Sequence, residues 1–284
     1  MKVLVTGSEG FLGRHVCVAL EERGHAVVGL DTVPSAEIVA DITKVLPMMN
    51  LDAVIHLAAL SHPRQCDADP AKAFSVNVGG TSNVLKMVLE SGAKKVVFAS
   101  SAHVYDIPSR YFPADEVHPL RLNNTYTTTK IMGEELCRLY WENHGLSYTT
   151  LRLFNAYGPG QGLGYFIPDM IEKAKQGGIH LEAWNTTKDW IYAEDVARAF
   201  VLAVESSFVG PINIGSGVET ELHKIAIRIT DELHAQYSPY GKPGGTRMQA
   251  DNSRAKRVLG WEPTVSIWEG LHAVLSASKA RSLV

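Results

Sequence analysis

The stretch TGSEGFLG, residues 6–13, decides how the first half of this chain folds. It follows the apolar run Val3-Leu4-Val5, and beyond it apolar residues recur at helical spacing (Leu12, Val16 and Leu20). Its three glycines therefore form a turn between a strand and a helix. Residues without a β-carbon let a pyrophosphate approach the backbone, and the helix N-terminus offers free N–H groups and the positive end of a dipole. The stretch predicts a dinucleotide-binding turn.

A carboxylate, Asp31, ends the second predicted strand 18 residues after Gly13. In this context it can accept hydrogen bonds from an adenosine ribose. No arginine or lysine occurs at residues 32–35, so a 2′-phosphate would meet repulsion and no partner. Taken alone, Asp31 would be a solvated acid at a strand end. With the three upstream glycines it favours NAD as cofactor over NADP.

Short apolar segments alternate with helix-length segments over the first hundred residues. Further strands are predicted at residues 27–30, 53–57 and 95–99, and a long helical segment at 70–90. These strands are apolar without alternation, as strands buried on both faces are. Repeated β-α units of this kind predict an α/β fold, a Rossmann-type doubly wound parallel sheet with right-handed crossovers. Ligands then bind at the carboxyl ends of the strands.

The regular pattern ends near residue 154. Later helices are predicted around residues 168–176, 193–205 and 219–235, with short strands between them. We therefore expect two unequal parts. Residues 1–154 form an NAD-binding Rossmann domain, to which parts of about 187–215 return, and residues 155–284 form mainly a smaller C-terminal substrate-binding lobe.

The composition excludes several classes of partner. Of the 284 residues, 45% are hydrophobic and 20% charged, which is ordinary for a globular enzyme. A net charge of −3 gives no reason to expect nucleic acid or an anionic membrane as partner, and no apolar run approaches the roughly 20 residues that span a bilayer. In the opening MKVLVTG we expect no signal peptide. The three cysteines (Cys17, Cys66 and Cys137) form no CxxC pair, so we expect free thiols in a cytoplasmic protein and no metal site.

The stretch YTTTK places Tyr126 and Lys130 at i and i+4, on one face of a helix. A phenol has an unperturbed pKa of about 10. A nearby ammonium and the positive nicotinamide of the oxidised cofactor would together lower that pKa and favour phenolate, so that Tyr126 could take a proton from an alcohol. Ser101, at the end of a predicted strand, would hold the substrate oxygen. Alone, the spacing is typical of a helix surface pair; with the cofactor turn it indicates a catalytic site.

These stretches resemble an extended short-chain dehydrogenase/reductase, of the NAD-dependent (nucleotide-)sugar epimerase/dehydratase group. TGSEGFLG is similar to the family's TGxxGFxG, SSAHVYD to SSxxVYG, YTTTK to YxxxK, and RLFNAYGPG to RxxNxYGP. DWIYAEDVARA resembles DFIYVDDVARA, and RAKRVLGWEP resembles KAxxxLGWxP. The motifs follow in the family's order along nearly the whole chain.

The resemblance implies a role for each matching residue. Ser101, Tyr126 and Lys130 correspond to the catalytic triad, and Asn77 to an asparagine that braces two strands near the cofactor. Asn155 corresponds to a contact of the substrate diphosphate. The family is also commonly homodimeric, through helices that include the one carrying Tyr126. The implied NAD contacts are Gly7, Gly10, Phe11, Leu12, Gly13, Asp31, Asp41, Ile42, Leu57, Ala58, Ala59, Asn77, Tyr126 and Lys130.

His103 departs from the pattern of the relatives. Sugar 4,6-dehydratases carry an Asp-Glu pair at the positions of Ala102 and His103, and an alanine cannot protonate a leaving hydroxyl, so a dehydratase of that kind is not expected. Relatives that epimerise at carbons 3 and 5 carry a cysteine where His103 stands. An imidazole with a pKa near 6.5 could act there as acid and base. Equally, His103 could only contact the sugar, and the two alternatives stay open.

The phosphate-binding positions also differ. Where relatives have an arginine that grips the substrate diphosphate, this chain has Lys188, which lacks the bidentate fork. Arg247 is the nearby candidate for a second phosphate-binding arginine. His62 and Arg64 lie where relatives contact substrate, and a solvated loop is an equal alternative. A smaller sugar or sugar acid without a nucleotide therefore stays open as substrate.

We predict an NAD-dependent sugar epimerase of carbohydrate metabolism, acting on a nucleotide-diphosphate sugar through a transient 4-keto intermediate. The alternative is an oxidoreductase, a dehydrogenase or keto-reductase that releases an oxidised or reduced sugar or sugar acid. A third alternative is an NAD-binding sensor without catalysis, which would be expected to have lost Tyr126 or Lys130.

Overall fold

The computed structural model describes residues 1–105, 110–182, 186–241 and 245–281. Its centre is a sheet of seven parallel strands in the order β3-β2-β1-β4-β5-β6-β10. Labels follow chain order over β1–β12 and α1–α10. The strands of this sheet are β1 Lys2–Thr6, β2 Ala26–Asp31, β3 Ile38–Val39, β4 Ala53–His56, β5 Lys95–Ser101, β6 Ser147–Leu153 and β10 Gly210–Ile214.

Successive residues of each central strand face opposite layers of helices. Val3 and Val5 pack in one apolar cluster with Val16 of α1 (Phe11–Glu22) and Phe200 of α7 (Ala193–Glu205). Leu4 packs in the other cluster, with residues of α4 (Thr81–Glu90) and α5 (Thr125–His144). Burial on both faces explains why the strands are apolar without alternation. The predicted doubly wound Rossmann-type sheet is confirmed.

Two helix boundaries follow from local sequence. α1 ends at Glu22 and is capped by Arg23, and Gly24 then adopts φ +84°, a left-handed conformation that favours glycine. The segment predicted as one helix at 70–90 is helical but not uniform. It consists of α3 (Pro70–Phe74), a π-helical turn (Ser75–Gly80) and α4.

The second lobe has its own core and two small sheets. β7 (Asn155–Tyr157), β9 (Thr187–Tyr192) and β11 (Glu219–Glu221) form one, and β8 (Gly178–Glu182) pairs with β12 (Gln236–Tyr240) in the other. Ile167, Ile229 and Leu271 are among its buried residues. The remaining helices are α2 Pro63–Ala68, α6 Phe166–Lys175, α8 Leu222–Leu233, α9 Ser253–Leu259 and α10 Ile267–Arg281.

Late segments of the chain complete the first sheet. α7 packs on α1, and β10 adds the seventh strand beside β6, whereas β9 pairs within the second lobe. Trp261 is also buried in the cluster around α7, and its Nε1 donates to the carbonyl of Asp195 at 2.9 Å. In the described parts of the chain, we find no helix with the length and apolar character that a membrane crossing requires.

The chain leaves β1 toward β2 on one side of the sheet and reaches β4 on the other. The carboxyl ends of β1 and β4 are therefore the point at which strand order reverses, where ligands of such sheets bind. Buried His56 joins the two strands, because its Nδ1 lies 2.7 Å from Thr6 Oγ1 and its Nε2 lies 3.0 Å from Thr81 Oγ1.

Candidate active site

A cavity of about 810 Å³ runs along the carboxyl ends of the strands and continues between the two lobes. Its lining includes Asp31 at the end of β2, Asp41 in the loop after β3, Tyr126 of α5 and Asn155 of β7. Among the residues predicted to contact cofactor or substrate, Asn77 and Lys188 do not line this cavity. The predicted residues that line it are Gly7, Gly10, Phe11, Leu12, Gly13, Asp31, Asp41, Ile42, Leu57, Ala58, Ala59, Ser101, His103, Tyr126, Lys130 and Asn155.

The glycine turn is packed too closely for side chains. Gly7 has φ +73°, and a β-carbon there would lie 2.8 Å from the backbone nitrogen of Ala58. A β-carbon on Gly13 would lie 2.0 Å from the carbonyl oxygen of Gly7. The turn is thus a backbone-lined cradle at the start of α1, which suits the pyrophosphate of a dinucleotide.

Asp31 is oriented at the end of β2. Its Oδ2 accepts a hydrogen bond from Glu9 N at 3.1 Å, and its Oδ1 accepts one from Thr32 N at 2.7 Å. Asp41 accepts a hydrogen bond from Thr43 N at 2.8 Å, and this bond holds the pKa of its carboxyl below the usual value. A carboxylate at each position fits the ribose and adenine end of a dinucleotide.

Tyr126 and Lys130 lie in the first turns of α5. The helix begins there because the side chain of Asn124 accepts a hydrogen bond from Thr127 N at 2.8 Å. Lys130 Nζ donates to the carbonyl of Ala99 at 2.8 Å and lies 5.8 Å from the centre of the Tyr126 ring. The spacing read from YTTTK therefore places both side chains at the end of β5.

The pKa values of these two residues move in opposite directions. Burial lowers the pKa of Lys130 to about 8. Burial raises the pKa of Tyr126, and its hydrogen bond with Ser101 only partly opposes this rise. In the chain without NAD, loss of solvation therefore outweighs the favourable interactions at this phenol, and the lowering of its pKa by Lys130 together with the nicotinamide stays a prediction.

His103 lies in a 3₁₀ turn (Ala102–Val104) directly after β5, and its backbone nitrogen donates to Ser101 Oγ at 3.2 Å. Its imidazole lines the cavity. Burial, aided by the positive charge of Lys188, lowers its pKa from 6.5 to about 4. His103 is therefore neutral at pH 7.

The three candidate phosphate-binding side chains all have partners in the protein. Asn155 Nδ2 donates to the carbonyl of Asp189 at 2.9 Å. Lys188 Nζ lies 3.4 Å from Thr246 Oγ1, and burial lowers its pKa. Arg247 forms an ion pair with Glu219.

Asn77 is placed as a brace. Its Oδ1 accepts from Leu60 N at 2.8 Å, and its Nδ2 donates to Leu60 O and to Thr129 Oγ1, both at 3.0 Å. Asn77 thus holds the loop after β4 against α5, and its contact on that helix, Thr129, lies three residues after Tyr126.

Apart from Asn155, sequence reasoning missed the residues that the second lobe contributes to the cavity. Tyr165, Phe166 and Trp190 line the cavity, as does Ser61. His62 lines it too, whereas Arg64 does not. The available signal was the stretch GLGYF, because its glycines follow the family-like segment RLFNAYGPG and precede a predicted helix.

The three cysteines are free thiols. Within the described ranges, no group of three or more His, Cys, Asp or Glu side chains is arranged to hold a metal ion. The polar groups that line the cavity include the Ser101 hydroxyl, the Tyr126 phenol, the Lys130 ammonium and the His103 imidazole.

Comparison with known proteins agrees with this geometry. The family model described as the NAD dependent epimerase/dehydratase family matches residues 3–215. The UDP-glucose 4-epimerase of Mycolicibacterium smegmatis is 31% identical over 303 residues, which cover 95% of this chain and 96% of that protein.

Solved structures give the same result. The crystal structure of UDP-glucose 4-epimerase from Thermotoga maritima with UDP-glucose superposes with a TM-score of 0.91 at 28% identity, over 100% of both chains. The Thermus thermophilus UDP-glucose 4-epimerase in complex with NAD superposes with a TM-score of 0.86 at 25% identity, over 98% of this chain and 99% of that one. Since the family model spans well over half of its length, the chain belongs to the NAD dependent epimerase/dehydratase family.

Proposed function

We propose that this protein is an NAD-dependent nucleotide-sugar 4-epimerase whose substrate is a UDP-hexose. One observation carries the proposal: Tyr126, Lys130 and Ser101 line the same cavity as the dinucleotide cradle, with the Ser101 hydroxyl close enough to interact with the phenol of Tyr126. The UDP-glucose 4-epimerases among the relatives support UDP-glucose and UDP-galactose as the first substrates to test.

The residues of the chain divide the work at carbon 4 of the sugar. The turn of Gly7, Gly10 and Gly13 would hold the pyrophosphate of NAD, which would supply an acceptor and later a donor for the hydride of carbon 4, and a positive nicotinamide that favours the phenolate of Tyr126. Ser101 hydrogen-bonds the oxygen on carbon 4 and keeps it in line with Tyr126. Tyr126 takes the proton of that hydroxyl and later returns it. No net oxidation results.

Burial supports this chemistry in two ways. Tyr126 is 7% exposed and Lys130 is 5% exposed, so water is largely excluded from the proton transfer. With a pKa of about 8, Lys130 is mostly protonated at pH 7. Its ammonium lies close enough to the Tyr126 ring to stabilise a phenolate when one forms.

We assign His103 as a sugar contact. Inversion at carbon 4 by hydride alone needs no second acid and base, and an imidazole with a pKa of about 4 offers no proton at neutral pH. A neutral ring can still accept or donate one hydrogen bond to a sugar hydroxyl. Asn155, which lines the cavity, is assigned to the diphosphate side of the substrate. Lys188 does not line the cavity and is assigned there only as a nearby positive charge, without direct contact.

The test is proton NMR in deuterium oxide, with UDP-glucose, UDP-galactose and the matching free sugars. We expect interconversion of the two UDP-sugars, without deuterium uptake into the sugar and without net accumulation of NADH. Tyr126→Phe should lower turnover by about 10²–10⁴, whereas Tyr240→Phe, outside the cavity, should not. Reaction of free sugars alone, or stoichiometric NADH production, would show that a different function is present.

We also propose that the protein is a homodimer that assembles through α5. This helix exposes Met132, Leu139 and Trp141, which are 40%, 46% and 43% exposed. Light scattering should give twice the chain mass, and Leu139→Glu should shift the protein toward monomer. The free thiols support a reducing, cytoplasmic location.

A further inference from the structure

The end of β5 that carries Ser101 extends beyond the strand on its β4 side. β4 ends at His56, which pairs with Phe98, whereas β6 continues to Leu153, which pairs with Ser101. Among the described residues, 99–101 therefore have a strand partner on one edge only. All three line the cavity. Since backbone pairing fixes this strand end from one side, other contacts must hold it on the other.

α5 supplies these contacts through two side-chain hydrogen bonds. Lys130 Nζ donates to the carbonyl of Ala99 at 2.8 Å. Ser100 Oγ donates to Glu134 Oε1 at 2.5 Å. Lys130 and Glu134 are four residues apart and so lie on the same face of the helix. Two consecutive turns of α5 thus hold two consecutive residues of the strand end.

Ser101 follows directly after these two residues. Its hydroxyl is close enough to the phenol of Tyr126 to interact with it. Tyr126 lies one turn before Lys130, on the face of α5 that holds the strand. A movement of the strand end would therefore change the distance between the serine hydroxyl and the phenol.

The close approach of α5 to β5 depends on a glycine. A β-carbon on Gly133 would lie 2.4 Å from Cζ of Phe98. Gly133 directly precedes Glu134 in the helix, and Phe98 lies two residues before Ser100 in the strand. The two elements thus meet without an intervening side chain beside the hydrogen bond between Ser100 and Glu134.

The carboxylate that accepts from Ser100 has a second anchor. Arg152 of β6 forms an ion pair with Glu134, and all three side chains are buried. The carboxylate is therefore fixed to β6 and can serve as a rigid acceptor for β5. Loss of the Ser100 hydroxyl would leave the ion pair in place, so that the hydrogen bond can be tested without leaving a buried charge unpaired.

We propose that Ser100 and Glu134 are positioning residues, whose hydrogen bond fixes the Ser101 hydroxyl relative to the catalytic phenol. This inference rests on the proposed function and adds two residues that act through Ser101. Neither takes or gives a proton in the reaction. A misplacement of reacting groups by about 1 Å can lower turnover by about 10²-fold. Loss of one of the two hydrogen bonds should cost less, about tenfold.

The experiment is a double-mutant cycle on the turnover of UDP-glucose by the NAD-loaded protein. Ser100→Ala should lower kcat by about tenfold and leave KM nearly unchanged, because the change affects alignment in the reacting complex. In a protein that already carries Ser101→Ala, the same substitution should have little further effect on kcat, because the hydroxyl that it positions is gone.

Ser91→Ala is the matched control. It also removes a buried hydroxyl, one that donates to the carbonyl of Val88 at 2.8 Å at the end of α4, outside the cavity. It should leave kcat unchanged in both backgrounds.

Two outcomes would overturn the inference while leaving the proposed function intact. Ser100→Ala could leave kcat unchanged, or it could lower kcat equally with and without Ser101, as a general disturbance of the structure would. Failure of the unmodified protein to interconvert UDP-glucose and UDP-galactose would instead overturn the proposed function together with this inference.

Discussion

Arg152 of β6 and Glu134 of α5 form a buried bidentate ion pair. Arg152 Nε donates to Glu134 Oε1 at 2.9 Å and its Nη2 donates to Oε2 at 2.7 Å, and both side chains are less than a tenth exposed. Ser100, the neighbour of Ser101, donates to the same carboxylate. The pair joins the end of β5, the middle of α5 and β6, which supply or lead to every catalytic residue proposed above.

Glu134→Gln should be strongly destabilising. It leaves the Arg152 guanidinium buried without its counter-charge, and such a loss costs about 3–5 kcal/mol of the free energy of unfolding. Glu135→Gln is the matched control, because Glu135 is exposed and its pair with Arg138 is worth at most about 1 kcal/mol. Urea unfolding at pH 7 measures both. Equal effects of the two substitutions would show that the buried pair contributes no more than a surface pair.

Gly13→Ala should weaken NAD binding by at least about tenfold and lower stability by about 1–3 kcal/mol, because its β-carbon would overlap the carbonyl oxygen of Gly7 and force the turn apart. Gly162→Ala is the control, since no atom lies within 4 Å of a β-carbon there. Titration with NAD, followed by calorimetry, gives the affinity. Unchanged NAD affinity in Gly13→Ala would show that the glycine turn is not part of the NAD-binding site.

Acid should destabilise the protein through His56. Burial first, and then the charge of Lys130, lower its pKa from 6.5 to about 3. Between these values the unfolded chain binds a proton that the folded chain does not, so stability falls as the pH is lowered.

The loss attributable to His56 between pH 7 and pH 5 is about 2 kcal/mol. Urea unfolding at pH 7 and at pH 5 gives the loss of stability between the two pH values. In His56→Gln this loss should be smaller by about 2 kcal/mol than in the unmodified protein, whatever the substitution does to stability at pH 7. The exposed His272→Gln should leave the difference as it is in the unmodified protein. A His56→Gln variant as sensitive to acid as the unmodified protein would contradict the shift.

His103→Gln should lower turnover by less than about tenfold, because a contact is exchanged for a weaker one and no proton transfer is lost. Tyr126→Phe, measured beside it, should lose far more. Equal losses in the two variants, together with deuterium entering the sugar at carbon 3 or 5, would make His103 an acid and base.

The sheet and the cofactor half of the site could be read from local sequence. A strand buried on both faces is apolar throughout, and the glycine turn, Asp31 and the spacing of Tyr126 and Lys130 are each contained within a few residues. Residues close together in sequence constrain each other's positions through helix and strand geometry alone. These features were therefore predictable.

The second lobe and the support of the site were not predictable in this way. Ser61 meets Tyr165 across 104 residues, and Arg152 meets Glu134 between two different elements. Such contacts depend on how the lobes pack, for which periodicity gives no signal. The ion pair of Arg247 with Glu219 could not be predicted for the same reason, because the two residues are brought together only by the packing of the lobe. The rise in the pKa of Tyr126 likewise depends on burial, which local sequence does not reveal.

The late return of α7 and β10 to the central sheet has a consequence for protein synthesis. While only residues 1–154 have emerged from the ribosome, β6 has an unpaired edge, and the face of α1 that packs on α7 has no cover. Trp261, more than a hundred residues later, is still needed to close that layer. The central sheet is thus completed late in synthesis although its first strands are translated first, and a fragment cut at residue 154 would carry an exposed strand edge of the kind that promotes aggregation.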